Sequence, residues 1–296
     1  MKFDIYQTIT DRIIEQLENN EIPWKKSWVN VCNGAFNRVS KRPYSLLNQL
    51  LLSHTGEYAS FKQWSELGGT IRKGEKSEIV VFWTFLKKVK TEDGEEIEEK
   101  IPILKYYRVF HISQVDGVKP LETVKLSESI QPIERAEQVI NNYVEREKVT
   151  YIEEMCNNAY YSPLLDTVTV PCKKQYEEIA EFYSTTFHEL THSTGHKNRL
   201  NRFDESSYGK EAYSKEELVA EIGSASILNL LGIETSQSFE NSAAYISAWL
   251  KMLKEDRRLI VSATGKAEKA INLILNRTQE KLSSNSGNDD KVIDLS

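Results

Sequence analysis

The residues best placed to do chemistry are two histidines and a glutamate within five positions: His188, Glu189 and His192. On a helix, positions four apart lie one turn apart on the same face, so both imidazoles can bind one tetrahedral ion. Glu189 would lie beside them and could accept a proton from a water whose pKa the ion lowers toward ~7. The spacing therefore predicts a Zn²⁺ site that can hydrolyse a peptide bond.

Such a site needs a third protein ligand. His196 follows His192 by four positions, but Gly195 should end the helix and turn the chain away. The extended motif with a third histidine would place that ligand at position 198, which is Asn198. We therefore expect His196 to have a structural role near the site.

The better candidates are Glu217 and Glu221, which lie four apart in a later helical segment. Because they lie one turn apart on the same face, both carboxylates can point toward the helix that carries His188 and His192. One would bind zinc, and the other would accept the free imidazole N–H of His188 and orient the ring. Glu221 stands among apolar residues, where an unpaired carboxylate would be costly.

Hydrophobic periodicity predicts an α+β protein of two domains. The first is a small mixed domain with an antiparallel hairpin, formed by residues 78–90 and 100–113 around an Asp93-Gly94 turn. The second is mostly helical, with a short sheet beside the helix that carries both histidines. The expected boundaries are a first domain over 1–118, a linker over 119–131, a second domain over 132–282 and a disordered tail over 283–296.

Several local elements follow from the same patterns. Residues 33–43 are expected to form a loop, and residues 174–193 a helix with Ile179 on its buried side. Further helices are expected over about 214–231, 238–256 and 263–280. The strand DTVTVP (166–171) could be an edge strand that pairs with an extended substrate, or an ordinary core strand.

Charge is distributed unevenly along the chain, whose net charge is −6. Without the acidic stretch 91–100, the rest of residues 1–118 has 16 basic against 10 acidic side chains, or +6. The three cysteines form no CxxC pair, and no apolar run reaches the ~18 residues of a membrane helix. A protein of the reducing cytoplasm, without a membrane partner, is expected.

Basic and aromatic residues alternate in the first domain, a mixture that suits single-stranded nucleic acid, because cations hold phosphates and rings stack on bases. The candidate contacts are Trp64, Arg72, Lys73, Lys76, Trp83, Lys87, Lys88, Tyr106 and Arg108.

Longer segments resemble the ArdC-type antirestriction proteins over residues 3–280. In the first half these are PYSLLNQLLL (43–52) and YYRVFHISQVDG (106–117), and in the second half AYYSPLLDTVTVP (159–171), FHELTHSTGH (187–196) and EELVAE (216–221). The resemblance implies an N-terminal domain that binds single-stranded DNA and a C-terminal zincin-like metallopeptidase domain. ELVAE is also similar to the pattern of zincin peptidases with a glutamate ligand, which implies Glu217 as the ligand and Glu221 as the alternative.

These observations lead to one expected function and two alternatives. The expected function is that of a DNA-binding, zinc-dependent metallopeptidase-like antirestriction protein of a plasmid or conjugative element, which protects incoming DNA from host restriction and acts on an unknown protein substrate. A non-enzymatic protein that shields single-stranded DNA around a structural zinc is the first alternative. The second is a peptidase whose first domain binds protein.

Overall fold

The computed structural model describes residues 3–19, 21–25, 34–92, 95–121, 132–203, 210–233 and 239–277. Its α-helices in these ranges are α1 (Ile5–Glu18), α2 (Leu46–Leu51), α3 (Phe61–Glu66), α4 (Pro132–Glu147), α5 (Ile179–Ser193), α6 (Lys210–Leu231), α7 (Phe239–Glu255) and α8 (Leu259–Ile274). Its strands are β1 (Ala35–Asn37), β2 (Gly56–Ala59), β3 (Thr70–Ile71), β4 (Glu78–Glu92), β5 (Glu95–His111), β6 (Val115–Asp116), β7 (Thr150–Glu154), β8 (Tyr160–Ser162) and β9 (Thr167–Pro171). The mixed α+β class predicted from the sequence is confirmed.

The first half is built on a four-stranded sheet of order β1-β2-β5-β4. The predicted hairpin is present, because β4 pairs antiparallel with β5 from Glu78↔Val109 to Glu92↔Glu95. Its predicted turn residues, Asp93 and Gly94, lie outside the described residues. The loop expected over 33–43 is partly wrong, because β1 lies inside it and pairs parallel with β2. Strand β1 has only three residues and pairs with a strand about twenty residues later, so the local sequence pattern does not predict it.

The second half places its sheet directly against the helix that carries both histidines. The order is β7-β9-β8, so β9 is hydrogen-bonded on both sides, parallel to β7 and antiparallel to β8. DTVTVP is therefore a central strand, and the edge-strand interpretation is wrong. Its buried valines, Val168 and Val170, fit that place. The edge strands beside it are β7 and β8, and β8 is the one that packs more extensively against α5.

Three helices have boundaries that differ from the sequence prediction. Helix α5 begins at Ile179 rather than at 174, because the chain is extended at Tyr176 and Glu178 after a short 3₁₀ turn. Ile179 is 39% exposed, so its expected burial is wrong. Helix α6 begins four residues earlier than predicted, and α8 spans Leu259–Ile274 rather than 263–280.

The largest hydrophobic cluster runs through both halves, and two smaller clusters, around Tyr58 and around Trp64, lie in the first half. The largest cluster joins Ile13 and Leu17 of α1 to Trp249 and Leu253 of α7, and it continues into α5, α6 and α8. The indole rings of Trp24 and Trp249 meet edge to face, with centroids 5.1 Å apart. The predicted boundary at 119–131 thus lies between two halves that share this largest cluster. Residues 122–131 lie outside the described part. Of the helices described, none is long and apolar enough to cross a membrane.

Candidate metal centre

Two packed helices bring the predicted donor atoms together. Helix α5 carries His188 and His192, whose Nε2 atoms lie 3.1 Å apart. Helix α6 presents Glu217, whose carboxylate oxygens lie 3.4 Å from Nε2 of His188 and 3.3 Å from Nε2 of His192. One donor atom from each residue can be chosen so that all lie within 4.8 Å of one another. Two imidazoles and one carboxylate form the donor set of a divalent metal site, so the residues present fit such an ion.

A glycine allows α6 to approach α5 this closely. A Cβ atom added at Gly223 would lie 2.7 Å from Cγ2 of Thr191, closer than real carbon atoms pack. Thr191 immediately precedes His192 on the helix. At the next residue of α6, the hydroxyl of Ser224 donates to the carbonyl of Ser184 at 2.7 Å and also joins the two helices.

His188, His192 and Glu217 form what we call the donor cluster. Glu189 lies buried beside this cluster, at 8% exposure. Burial raises the pKa of Glu189 above its ordinary value, although His188 and His192 oppose that shift. Its carboxylate also has a hydrogen bond with the backbone of Tyr161 on β8. A carboxylate with a raised pKa beside a metal site is suited to accept and return a proton.

The donor cluster is strongly polarised. Burial alone would raise the pKa of Glu217. Hydrogen bonds with both histidines outweigh that effect and hold this pKa well below its usual range. Burial alone would lower the pKa of His192. The carboxylates of Glu216 and Glu217 outweigh that effect and raise this pKa to about 9. The site therefore concentrates negative charge where a cation would bind.

Two further carboxylates face the outer nitrogens of the imidazoles. Oε1 of Glu221 lies 3.8 Å from Nδ1 of His188, on the side where the sequence analysis placed it. Oε1 of Glu216 lies 3.6 Å from Nδ1 of His192. Sequence reasoning gave no role to Glu216, although the adjacent pair of glutamates in EELVAE was a visible signal.

His196 lies apart from the donor cluster, as expected from Gly195. Helix α5 ends at Ser193. The Nδ1 atom of His196 accepts a hydrogen bond from the backbone of Asn198 at 3.3 Å and lies 3.7 Å from Asp166. At 8% exposure it is a buried histidine with a structural role.

The candidate DNA contacts of the first half do not all share one surface. Trp64 is wrong as a stacking residue, because it is fully buried and its indole N–H donates to the carbonyl of Phe110 at 2.9 Å. The Arg72 guanidinium is exposed but paired with Glu75 and Asp116. Exposed lysines at 73 and 76 lie in the same turn region.

The hairpin gathers four of the other candidates on one side. Side chains alternate between the two faces of a strand, and paired residues share a face. By the register of β4 and β5, one side holds Trp83, Phe85, Lys87, Lys100, Tyr106 and Arg108. We call these six residues the hairpin face. Lys88 points to the opposite side.

The fold and the donor set define the class of this protein. The second half has the architecture of a zincin-like metallopeptidase domain, and the family model of that description matches residues 134–266. The family model of the N-terminal domain of anti-restriction factor ArdC matches residues 3–110.

Full-length relatives show the same combination of the two halves. A crystal structure of the antirestriction protein ArdC from plasmid R388, free of metal, is 33% identical, with a TM-score of 0.72 over 92% of this chain and 97% of that one. Its Mn(II)-bound structure is 32% identical, with a TM-score of 0.73 over 93% and 98% of the two chains. This chain belongs to the ArdC antirestriction family.

Two relatives known from sequence extend the comparison. The uncharacterised protein y4eC of Sinorhizobium fredii is 30% identical over 282 residues, which are 90% of this chain and 89% of that protein. A DNA primase TraC of Escherichia coli is 30% identical over 304 residues, which cover 95% of this chain. The chain spans only 28% of the length of that primase.

Proposed function

We propose that this chain is an antirestriction protein of a plasmid or conjugative element, with a zinc-dependent peptidase site in its second half and a surface for single-stranded DNA in its first. The observation that carries the proposal is the convergence of His188, His192 and Glu217 on one point, with Glu189 buried beside them. The R388 protein has a Mn(II)-bound structure, which supports the binding of a divalent ion by this chain.

The roles of the residues follow from their positions. His188, His192 and Glu217 would hold the ion. A divalent cation held there supplies Lewis acidity, which polarises a peptide carbonyl and lowers the pKa of a water molecule toward ~7. Glu189 takes the proton of the attacking water and returns it to the leaving amine. Its burial raises its pKa and so makes it a stronger proton acceptor than an exposed glutamate.

Strand β8 favours an extended peptide as the substrate. It is the edge strand beside α5, and its Tyr161 backbone is hydrogen-bonded with Glu189. A peptide added to this edge would place its carbonyl groups near the proton acceptor. We therefore propose that an extended substrate pairs with β8 and not with β9.

The hairpin face supports the proposal for DNA. Its three rings are well exposed: Trp83 at 55%, Phe85 at 59% and Tyr106 at 39%. Its basic side chains are Lys87, Lys100 and Arg108, and residues 79–88 and 100–109 contain no acidic side chain. Exposed rings between cations suit single-stranded DNA, since bases stack on the rings and phosphates pair with the cations.

The test compares the parent with Glu189→Gln in the transfer of unmodified plasmid DNA into a restricting host. Glutamine has nearly the same shape but cannot accept the proton at neutral pH, so hydrolysis should be lost while metal content, stability and DNA binding are retained. We expect the variant to fail to protect the DNA. Protection equal to that of the parent would show that hydrolysis is not the mechanism, and would favour shielding of single-stranded DNA around a structural metal.

A further inference from the structure

The two ring nitrogens of His192 face different carboxylates. Its Nε2 lies 3.3 Å from Glu217, inside the donor cluster, and its Nδ1 lies 3.6 Å from Oε1 of Glu216, outside it. An imidazole that binds a metal through Nε2 carries its proton on Nδ1. A carboxylate facing that N–H fixes both the tautomer and the angle of the ring.

Glu216 is itself held in place by a buried arginine. The guanidinium of Arg202 donates to both carboxylate oxygens, with Nη2 at 2.6 Å from Oε1 and Nε at 3.2 Å from Oε2. The side chain of Arg202 is only 5% exposed, and that of Glu216 is 15% exposed. Two-pronged pairing of this kind fixes geometry as well as charge.

The same arginine is also hydrogen-bonded to the C-terminal end of the helix that carries His192. Its Nη2 donates to the carbonyl of Thr191 at 2.8 Å, and its Nη1 donates to the hydroxyl of Thr194 at 2.7 Å. Arg202 therefore ties the last turn of α5 to the carboxylate that α6 contributes. A residue that held only the two helices together would not need to place that carboxylate against the outer nitrogen of a metal-binding imidazole.

We propose that Glu216, clamped by Arg202, is a positioning residue that orients His192 for metal binding. The inference rests on the proposed metal centre. It gives His192 an outer partner that is held more firmly than the partner of His188, since Glu221 lies 3.8 Å from that ring and is 26% exposed. Loss of Glu216 leaves all three metal donors in the chain but frees one ring to rotate.

The test measures Zn²⁺ affinity of the full chain by competition with a chelator, and the visible absorption of the Co²⁺-loaded chain. Glu216→Gln is compared with Asp166→Asn, a matched control. Asp166 also pairs with a buried arginine, Arg199, whose side chain is 2% exposed, but it contacts none of the three metal donors. Both variants remove a carboxylate from a buried arginine, so both should lower the melting temperature.

Only Glu216→Gln should weaken Zn²⁺ binding, by about 10–100-fold, and change the Co²⁺ absorption spectrum. Parental affinity and spectrum in a folded Glu216→Gln chain would overturn the positioning role while leaving the metal centre intact. If that variant does not fold, Arg202→Lys replaces it, since lysine loses the two-pronged geometry. Its parental affinity and spectrum would overturn the proposal equally. A parent chain that binds neither ion would refute the metal centre itself.

Discussion

Gly223 shows that the site depends on one residue without a side chain. The contact between α5 and α6 is closest where Gly223 faces Thr191, next to the metal-binding His192. A second helical glycine, Gly265 on α8, has open space around its missing Cβ. The two glycines therefore offer the same substitution in opposite environments.

We predict that Gly223→Ala lowers the free energy of unfolding by about 1–3 kcal/mol, because the added methyl overlaps Thr191 and forces the helices apart. Gly265→Ala should raise it by roughly 0.5–1 kcal/mol, since alanine favours helix and meets no neighbour. Urea unfolding of both variants and the parent measures the difference. Equal effects of one sign would show that helix propensity, not the close helix contact, governs position 223.

Some individual residues of the site could be predicted from the sequence, and others could not. Spacing alone put the two histidines on one helix face and offered Glu217 or Glu221 as the facing carboxylate, because four residues make about one turn. The preference for Glu217 came from the resemblance to zincin peptidases. Spacing could not show that Trp64 is buried, since its hydrogen-bond partner Phe110 lies on a strand 46 residues away. Nor could it show the role of Glu216, because its clamp, Arg202, comes from the segment between the two helices.

Among the elements, the presence of a strand was easier to predict than its place in the sheet. The β-branched residues of 166–171 predicted a strand, and β9 is one. Whether it lay at an edge depended on β8, a strand of three residues whose pairing comes only from the fold. Long elements such as the hairpin were predictable because their pattern extends over many residues.

The hairpin offers a matched pair of residues for testing the DNA proposal. Phe85 belongs to the hairpin face at 59% exposure, and Phe82, at 43%, lies on the opposite side. Both are phenylalanines of the same strand, so the same truncation can be compared on the two faces.

We predict that Phe85→Ala and Trp83→Ala each weaken binding of single-stranded DNA by about 1–3 kcal/mol, because each removes a ring on which a base stacks. Phe82→Ala should bind as the parent does. Fluorescence anisotropy with a labelled oligonucleotide, repeated at rising salt, measures the affinities. Equal losses for Phe82→Ala and Phe85→Ala would contradict the assignment of the DNA to one face.

For the whole molecule, two separate family matches coexist with one hydrophobic cluster that both halves share. The matches cover residues 3–110 and 134–266 separately. Yet α1 of the first part buries Ile9, Ile13 and Leu17 in the same cluster as Leu253 of α7. Sequence patterns predict amphipathic faces, but they do not show which face covers which, so this sharing was not predictable.

We predict that the chain unfolds as one cooperative unit. Leu253→Ala opens a cavity between α1 and α7 and should lower stability by about 2–5 kcal/mol. Because the core is shared, native-state hydrogen exchange should quicken together in the slowest-exchanging amides of β5 and of α5. Faster exchange in α5 alone, with β5 unchanged, would show that the two halves are independent.

The metal centre is tested most directly by the metal content of the purified chain after chelation and reloading with Zn²⁺, measured by mass spectrometry. We expect one ion per parent chain, because His188, His192 and Glu217 converge on one point. His188→Ala should lose that stoichiometric ion, whereas Glu189→Gln should keep it, since Glu189 accepts a proton but is not a ligand. Full metal content in His188→Ala, or none in the parent, would contradict the central claim.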